Sequence, residues 1–213
     1  MGIKKNLKKL LNSIPKEITL VAVSKTKPIS DILVAYESGQ RIFGENKVQE
    51  LEMKHTKLPS DIKWHMIGHL QSNKVKYIAP FISLIHAVDS LKLLKEINRR
   101  AKQNNRIINC LLQVHIASER TKFGFEINEI NEILDESNKL ENICIKGLMG
   151  MATFTEEKSQ LNSEFTKINN LFKKIKNKKI NTLSIGMSGD YELAINNGST
   201  MIRIGSTIFG NRK

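Results

Sequence analysis

The chain has 213 residues, 40% of them apolar and 26% charged, with a formal net charge of +13. That length fits one domain with a sizeable core, and no apolar run nears the ~20 residues that a membrane span needs. The charge comes from 27 scattered lysines alongside 20 asparagines and seven arginines, a compositional bias rather than the clustered basic face of a nucleic-acid binder.

Residues 1–14 predict an amphipathic helix, with Ile3, Leu7, Leu10, Leu11 and Ile14 on one side, rather than a secretory signal. An apolar strand over 18–24 then stops on Lys25, in the run VAVSKTKP. A lysine that forms a Schiff base must be unprotonated when it attacks. The apolar strand supplies desolvation, Lys27 a cationic neighbour, and Pro28 opens the next helix at its first turn. The strand at 41–43 leads into FGENKVQE, where Asn46 is either the N-cap of a helix or a donor to a cofactor oxygen. The strand at 64–67 carries His65. His69 lies four residues on, but Gly68 interrupts the run, so a zinc pair is not expected and no metal site is assigned.

A strand at 84–88 and a helix at 91–104 follow, then a strand at 107–116. The loop after it offers Glu119, Arg120 and Lys122, either to structure a rim or to receive a substrate carboxylate. A helix at 126–140 precedes a strand at 143–151, whose Gly147 and Gly150 allow close backbone approach, with Met149 and Met151 as core residues. The helix at 156–177 buries Leu161, Phe165, Ile168 and Phe172 and turns a basic stretch, Lys173 to Lys179, to solvent. Strands at 182–187 and 201–204 flank a short helix at 191–197, and each strand ends in small residues: Gly186, Ser188 and Gly189, then Gly205, Ser206 and Thr207. Such clusters let a phosphate approach backbone N–H groups. Arg203 interrupts the last strand and needs a partner there. Cys110 and Cys144 sit in apolar runs without metal spacing and read as buried thiols of a reducing, cytoplasmic compartment.

Eight strands alternating with helices predict an α/β fold, a single (β/α)8 TIM-type barrel over residues 1–213. In a closed barrel the first and eighth strands are neighbours, so Lys25 and both small-residue loops converge on the C-terminal rim. A lysine facing a phosphate cradle is what a pyridoxal 5'-phosphate site needs.

On VAVSKTKP, FGENKVQE, WHMIGHLQSNK, IHAVDS, LLQVHIASERTKFGF, GLMGMAT and SIGMSGDYELAINNGSTMIRIGSTIFG, the chain resembles the YggS/PROSC family of pyridoxal-phosphate homeostasis proteins from about residue 18 to 210. The resemblance implies a barrel similar to the alanine racemase N-terminal domain. It implies Lys25 as the Schiff-base lysine, Ser188, Gly205 and Ser206 at the phosphate, Arg203 near the pyridine nitrogen and Asn46 near the cofactor. His115, Thr153 and Lys47 depart from the family's usual Asn, Pro, and Tyr or Arg. The chain has no residues beyond the eighth strand for the second domain that completes such racemases, so no catalytic residue is assigned. The expectation is a monomeric carrier of the cofactor, with PLP-dependent apoenzymes as recipients and no nucleic acid or membrane as partner. The alternative is a small racemase-like enzyme.

Overall fold

A computed structural model describes residues 2–119 and 123–210. In chain order, helix α1 (Ile3–Ser13) precedes strand β1 (Thr19–Val23) and α2 (Ile29–Glu37). Next come β2 (Ile42–Glu45), α3 (Val48–Lys57), β3 (Lys63–Met66), α4 (Val75–Ile78), β4 (Leu84–Val88) and α5 (Leu91–Gln103). They are followed by β5 (Ile108–Val114), α6 (Ile130–Ser137), β6 (Ile143–Gly150), α7 (Lys158–Ile175), β7 (Thr182–Ser184), α8 (Tyr191–Asn196), β8 (Met201–Ile204) and α9 (Ser206–Phe209). The strands form a closed parallel barrel in sequential order. β8 returns to β1, with Thr19 opposite Met201 and Ala22 opposite Ile204. This is the TIM-type barrel that the alternation of strands and helices predicts.

Each strand is buried on both faces, which is why the runs read as continuously apolar rather than alternating. One face packs on the helices: Leu20, Ala22 and Phe43 join the large cluster that includes Leu93, Leu94 and Ile97 of α5 and Phe165 and Ile168 of α7. The other face fills the barrel with Val21, Leu84, Ala87, Leu111, Met149 and Met201. α5 is held at its start by Ser90, whose hydroxyl accepts the Leu93 N–H at 3.3 Å, and carries Arg100 and Lys102 in its last turn, where cations suit the helix dipole.

The departures from the sequence reading are local. The 126–140 helix opens as a 3-10 turn at Ile127–Glu129, locked by reciprocal bonds between Glu126 and Glu129, and its α-helical part ends at Ser137. Pro28 is the N-cap of α2 rather than a first-turn residue. β7 stops at Ser184 because Gly186 turns the chain with φ 96°, where a Cβ would come within 2.7 Å of the Ala194 Cβ. The small-residue run after β8 is the start of helix α9, not a loop.

Candidate functional site

By strand alternation, Lys25 falls on the barrel-facing side with Val21 and Val23. It is half-buried, just beyond β1, and both neighbours are fixed. Buried Ser24 extends the ladder, its N–H donating to the Gly44 carbonyl at 3.1 Å. Its hydroxyl donates to Glu45 Oε1 at 2.5 Å, and its carbonyl accepts from Lys54 Nζ at 2.7 Å. Thr26 has φ 65°, unusual for a β-branched residue, and its N–H donates to Glu50 Oε1 at 2.6 Å. Lys54, 1% exposed, lies 2.8 Å from Glu45 and 2.6 Å from Glu50. Burial pushes the Glu45 carboxyl up, against the pull of Lys54. Lys27, expected to act on Lys25 through its charge, is engaged as a tether: its ammonium donates to the carbonyls of Phe209 and Gly210, at 3.2 Å each. The Lys25 loop is thus tied to α3 on one side and to the end of α9 on the other.

Arg203 is 4% exposed. Its Nη1 donates to the Ser184 carbonyl at 2.8 Å and hydroxyl at 2.7 Å, and its Nη2 to the Gly150 carbonyl at 3.0 Å. Burial lowers its pKa to about 10, opposed by Asp190, so it is a cation at neutral pH. Behind it runs a file of polar groups through the barrel. Ser184 Oγ lies 3.1 Å from His86 Nδ1, and His86 Nε2 lies 2.9 Å from His65 Nδ1. A guanidinium only donates. Ser184 therefore accepts from Arg203, and the directions of the Ser184–His86 and His86–His65 bonds are set by the ring tautomers. Both rings are neutral: burial lowers His65 to about 3 and holds His86 well below the ordinary range. His65 and His69 are no metal pair, since exposed His69 bonds Asp89 at 2.8 Å and stacks on Phe123.

The Ser188–Gly205 side is built mainly from hydroxyl and backbone groups, with one carboxylate, Asp190. Half-buried Ser188 accepts the Gly205 N–H at 3.2 Å, joining the two small-residue segments. Asp190 accepts the Met187 N–H at 2.5 Å, bracing the turn into α8. Gly205 is the N-cap of α9, and Ser206 and Thr207 form its exposed first turn, where N–H groups point outward. A Cβ at Gly189 would meet nothing within 4 Å, and one at Gly205 nothing nearer than 3.4 Å. The protein's own packing does not demand glycine at either place, so both leave room beside donors and a helix N-terminus. These groups fit a phosphate. Lys25 fits an aldehyde carbon, and Arg203 fits an acceptor nitrogen of a flat ring.

Asn46 is half-buried just past β2, but it is not the α3 cap: that position is Lys47, which makes no capping bond with its side chain. Gly147 answers to β7 rather than to a ligand, since a Cβ there would lie 1.7 Å from the Thr182 carbonyl oxygen. Gly150 packs against Ile116 and Ile168, and Met149 is core. Glu119 accepts the Phe154 N–H at 3.1 Å and so structures the rim, while Arg120 and Lys122 lie outside the described residues. Thr153 donates its N–H and hydroxyl to Glu164 and accepts the Ser118 N–H, three bonds that a proline there would forfeit. His115 meets the Glu119 carbonyl at 3.0 Å. A cleft of about 450 Å³ elsewhere on the rim, lined by His69, Asp89 and Lys92 among others, contains none of the predicted site residues. Among the residues that sequence reasoning missed, Glu50 and Lys54 carried a signal in their i,i+4 spacing. His86 and Ser184 carried none beyond being polar within apolar strands.

The profile of the alanine racemase N-terminal domain matches residues 2–213. A pyridoxal phosphate homeostasis protein of Haemophilus influenzae is 39% identical over 202 residues, covering 92% of this chain and 85% of the relative. PipY of Synechococcus elongatus, solved with pyridoxal phosphate bound, superposes with a TM-score of 0.88 at 33% identity, covering 98% of this chain and all of that one. An alanine racemase of Clostridium difficile, 16% identical, shares the fold, with a TM-score of 0.81, and this chain covers 56% of its length.

Proposed function

The chain belongs to the alanine racemase N-terminal-domain family, and we propose that it holds pyridoxal 5'-phosphate in the barrel mouth without efficient catalysis. Lys25 forms the Schiff base with the aldehyde. Ser188, Gly205 and Ser206 take the phosphate, Arg203 faces the ring nitrogen, and Asn46 lies near the cofactor. The observation that carries this reading is convergence: β1 pairs with β8, Ser188 bonds Gly205, and Lys27 ties the Lys25 loop to α9. Related proteins named for pyridoxal phosphate homeostasis, and PipY with that cofactor bound, support it.

The cofactor's ring, when bound, supplies an electron sink for carbanions at an attached amino acid. Arg203 works against that use. Fixed by three hydrogen bonds and cationic at neutral pH, it disfavours a proton on a ring nitrogen beside it. The arrangement suits holding and releasing the cofactor. We therefore assign a cytoplasmic, monomeric carrier built as one barrel domain, with PLP-dependent apoenzymes as recipients.

Direct titration tests the binding mode. Each hydrogen bond to a dianion is worth roughly 1.5–3 kcal/mol, so pyridoxal lacking the phosphate is expected to bind at least about a hundredfold more weakly than pyridoxal phosphate. Equal affinity would show that the two small-residue loops are only turns. Deuterium exchange at Cα of alanine, followed by NMR at saturating cofactor, tests the carrier role. Exchange near the rate with free cofactor is expected. Rapid stereoinversion would restore the racemase alternative.

A further inference from the structure

We propose that Glu50, with Lys54 and Glu45, is the positioning device for Lys25, an inference that rests on the cofactor reading above. The two residues flanking Lys25 are both gripped by this triad. Lys54 holds the Ser24 carbonyl, Glu45 the Ser24 hydroxyl and Glu50 the Thr26 N–H. One ammonium, sealed from water at 1% exposure, pairs with two carboxylates that contact the loop. Thr26 sits in the left-handed region, which a β-branched residue adopts only when its surroundings impose it. The Ser24 carbonyl accepts the Lys27 N–H at 3.0 Å and closes the turn around Thr26, and the Glu50 carboxylate on the Thr26 N–H holds that turn against α3. The direction of the Lys25 side chain follows from the backbone on either side of it.

Glu50 is the accessible member, 20% exposed in the first turn of α3. Truncating it opens no core cavity, and Lys54 keeps Glu45 and the Ser24 carbonyl. Ser188, Gly205 and Ser206 lie on the β7 and β8 side, whereas the triad sits on β2 and α3. Loss of Glu50 therefore separates the aldehyde contact from the phosphate contact.

The test compares two ligands on the full chain: pyridoxal 5'-phosphate, and pyridoxine 5'-phosphate, which carries the phosphate but no aldehyde. Glu50→Ala is expected to weaken pyridoxal phosphate about tenfold, equivalent to about 1.4 kcal/mol, and to leave pyridoxine phosphate within about twofold. Glu50→Gln, whose side-chain oxygen still accepts from Thr26 and Lys54, is expected to restore wild-type affinity and the visible absorbance band. Glu50→Asp, too short to span both donors, is expected to fall between them, and it keeps the test open if the alanine variant folds poorly. Parallel weakening of both ligands would make the triad a general structural prop and overturn the proposal. So would unchanged affinity for both. A wild-type chain that binds pyridoxine phosphate but forms no bond to the aldehyde would instead overturn the role given to Lys25.

Discussion

The two sides of the barrel mouth are built on opposite principles. Under Lys25 lies a buried cluster of full charges, Glu45, Lys54 and Glu50, that grips a strained loop. Across the rim, the Ser188–Gly205 side uses a hydroxyl, backbone N–H groups and the first turn of α9. Charges in a low-dielectric setting are costly unless fully engaged, and engaged ones hold geometry firmly. That suits an amine that must point one way. Neutral dipoles attract a dianion without a permanent counter-charge, which suits the release that the proposed carrier role requires. In the proposed carrier, charge fixes the protein and dipoles receive the ligand.

The largest effect that sharpens this contrast is expected from Lys54→Met. It strands Glu45 in the core, and breaking a buried pair costs about 3–5 kcal/mol. The loss, read from urea unfolding at pH 7, is expected to shrink in acid. Glu45 has a folded-state pKa raised by burial, so the folded protein binds its proton more tightly than the unfolded chain. Stability then falls as pH rises above the ordinary carboxylate value and recovers as pH drops. A penalty independent of pH would contradict a buried, charged Glu45.

The histidine file gives the opposite sign. His65, depressed to about 3, contributes stability that is fully present above about pH 6.5 and lost as pH falls toward 3. His65→Leu is expected to flatten the stability curve between pH 6 and 4 by up to about 1.4 kcal/mol per pH unit. An unchanged slope would place the acid sensitivity elsewhere.

Smaller still are the glycine effects on the phosphate side. Gly186→Ala is expected to cost about 1–3 kcal/mol, from its positive φ and the contact with Ala194. Gly189→Ala is expected to change stability by less than about 0.5 kcal/mol, since a Cβ there meets no protein atom, yet to weaken pyridoxal phosphate by occupying its room. Equal affinity in Gly189→Ala would move the phosphate away from that loop.

The barrel was legible because parallel strands buried on both faces leave continuous apolar runs, and eight of them alternate with amphipathic segments such as 91–104 and 156–177. The shared place of Lys25 and the small-residue clusters was legible because strand ends in a barrel share one rim. The short pieces were not. α4 and α9, four residues each, are too brief to show a period. The role of Lys54 was hidden because 27 lysines supply no contrast, and only tertiary contact shows which one is buried. The file from His65 to Arg203 joins residues up to 138 positions apart in sequence, across strands β3, β4, β7 and β8, so no local pattern announces it. Asn46 misled as a cap because its neighbour Lys47 occupies that position.

The claim at the centre is that one lysine of 27 receives the cofactor. Borohydride reduction of the protein loaded with pyridoxal phosphate, followed by peptide mapping with mass spectrometry, reads it directly. The account predicts a pyridoxyl group on Lys25, within VAVSKTKP, at close to one per chain. Recovery of that group chiefly on Lys27, Lys54 or any other lysine would contradict it.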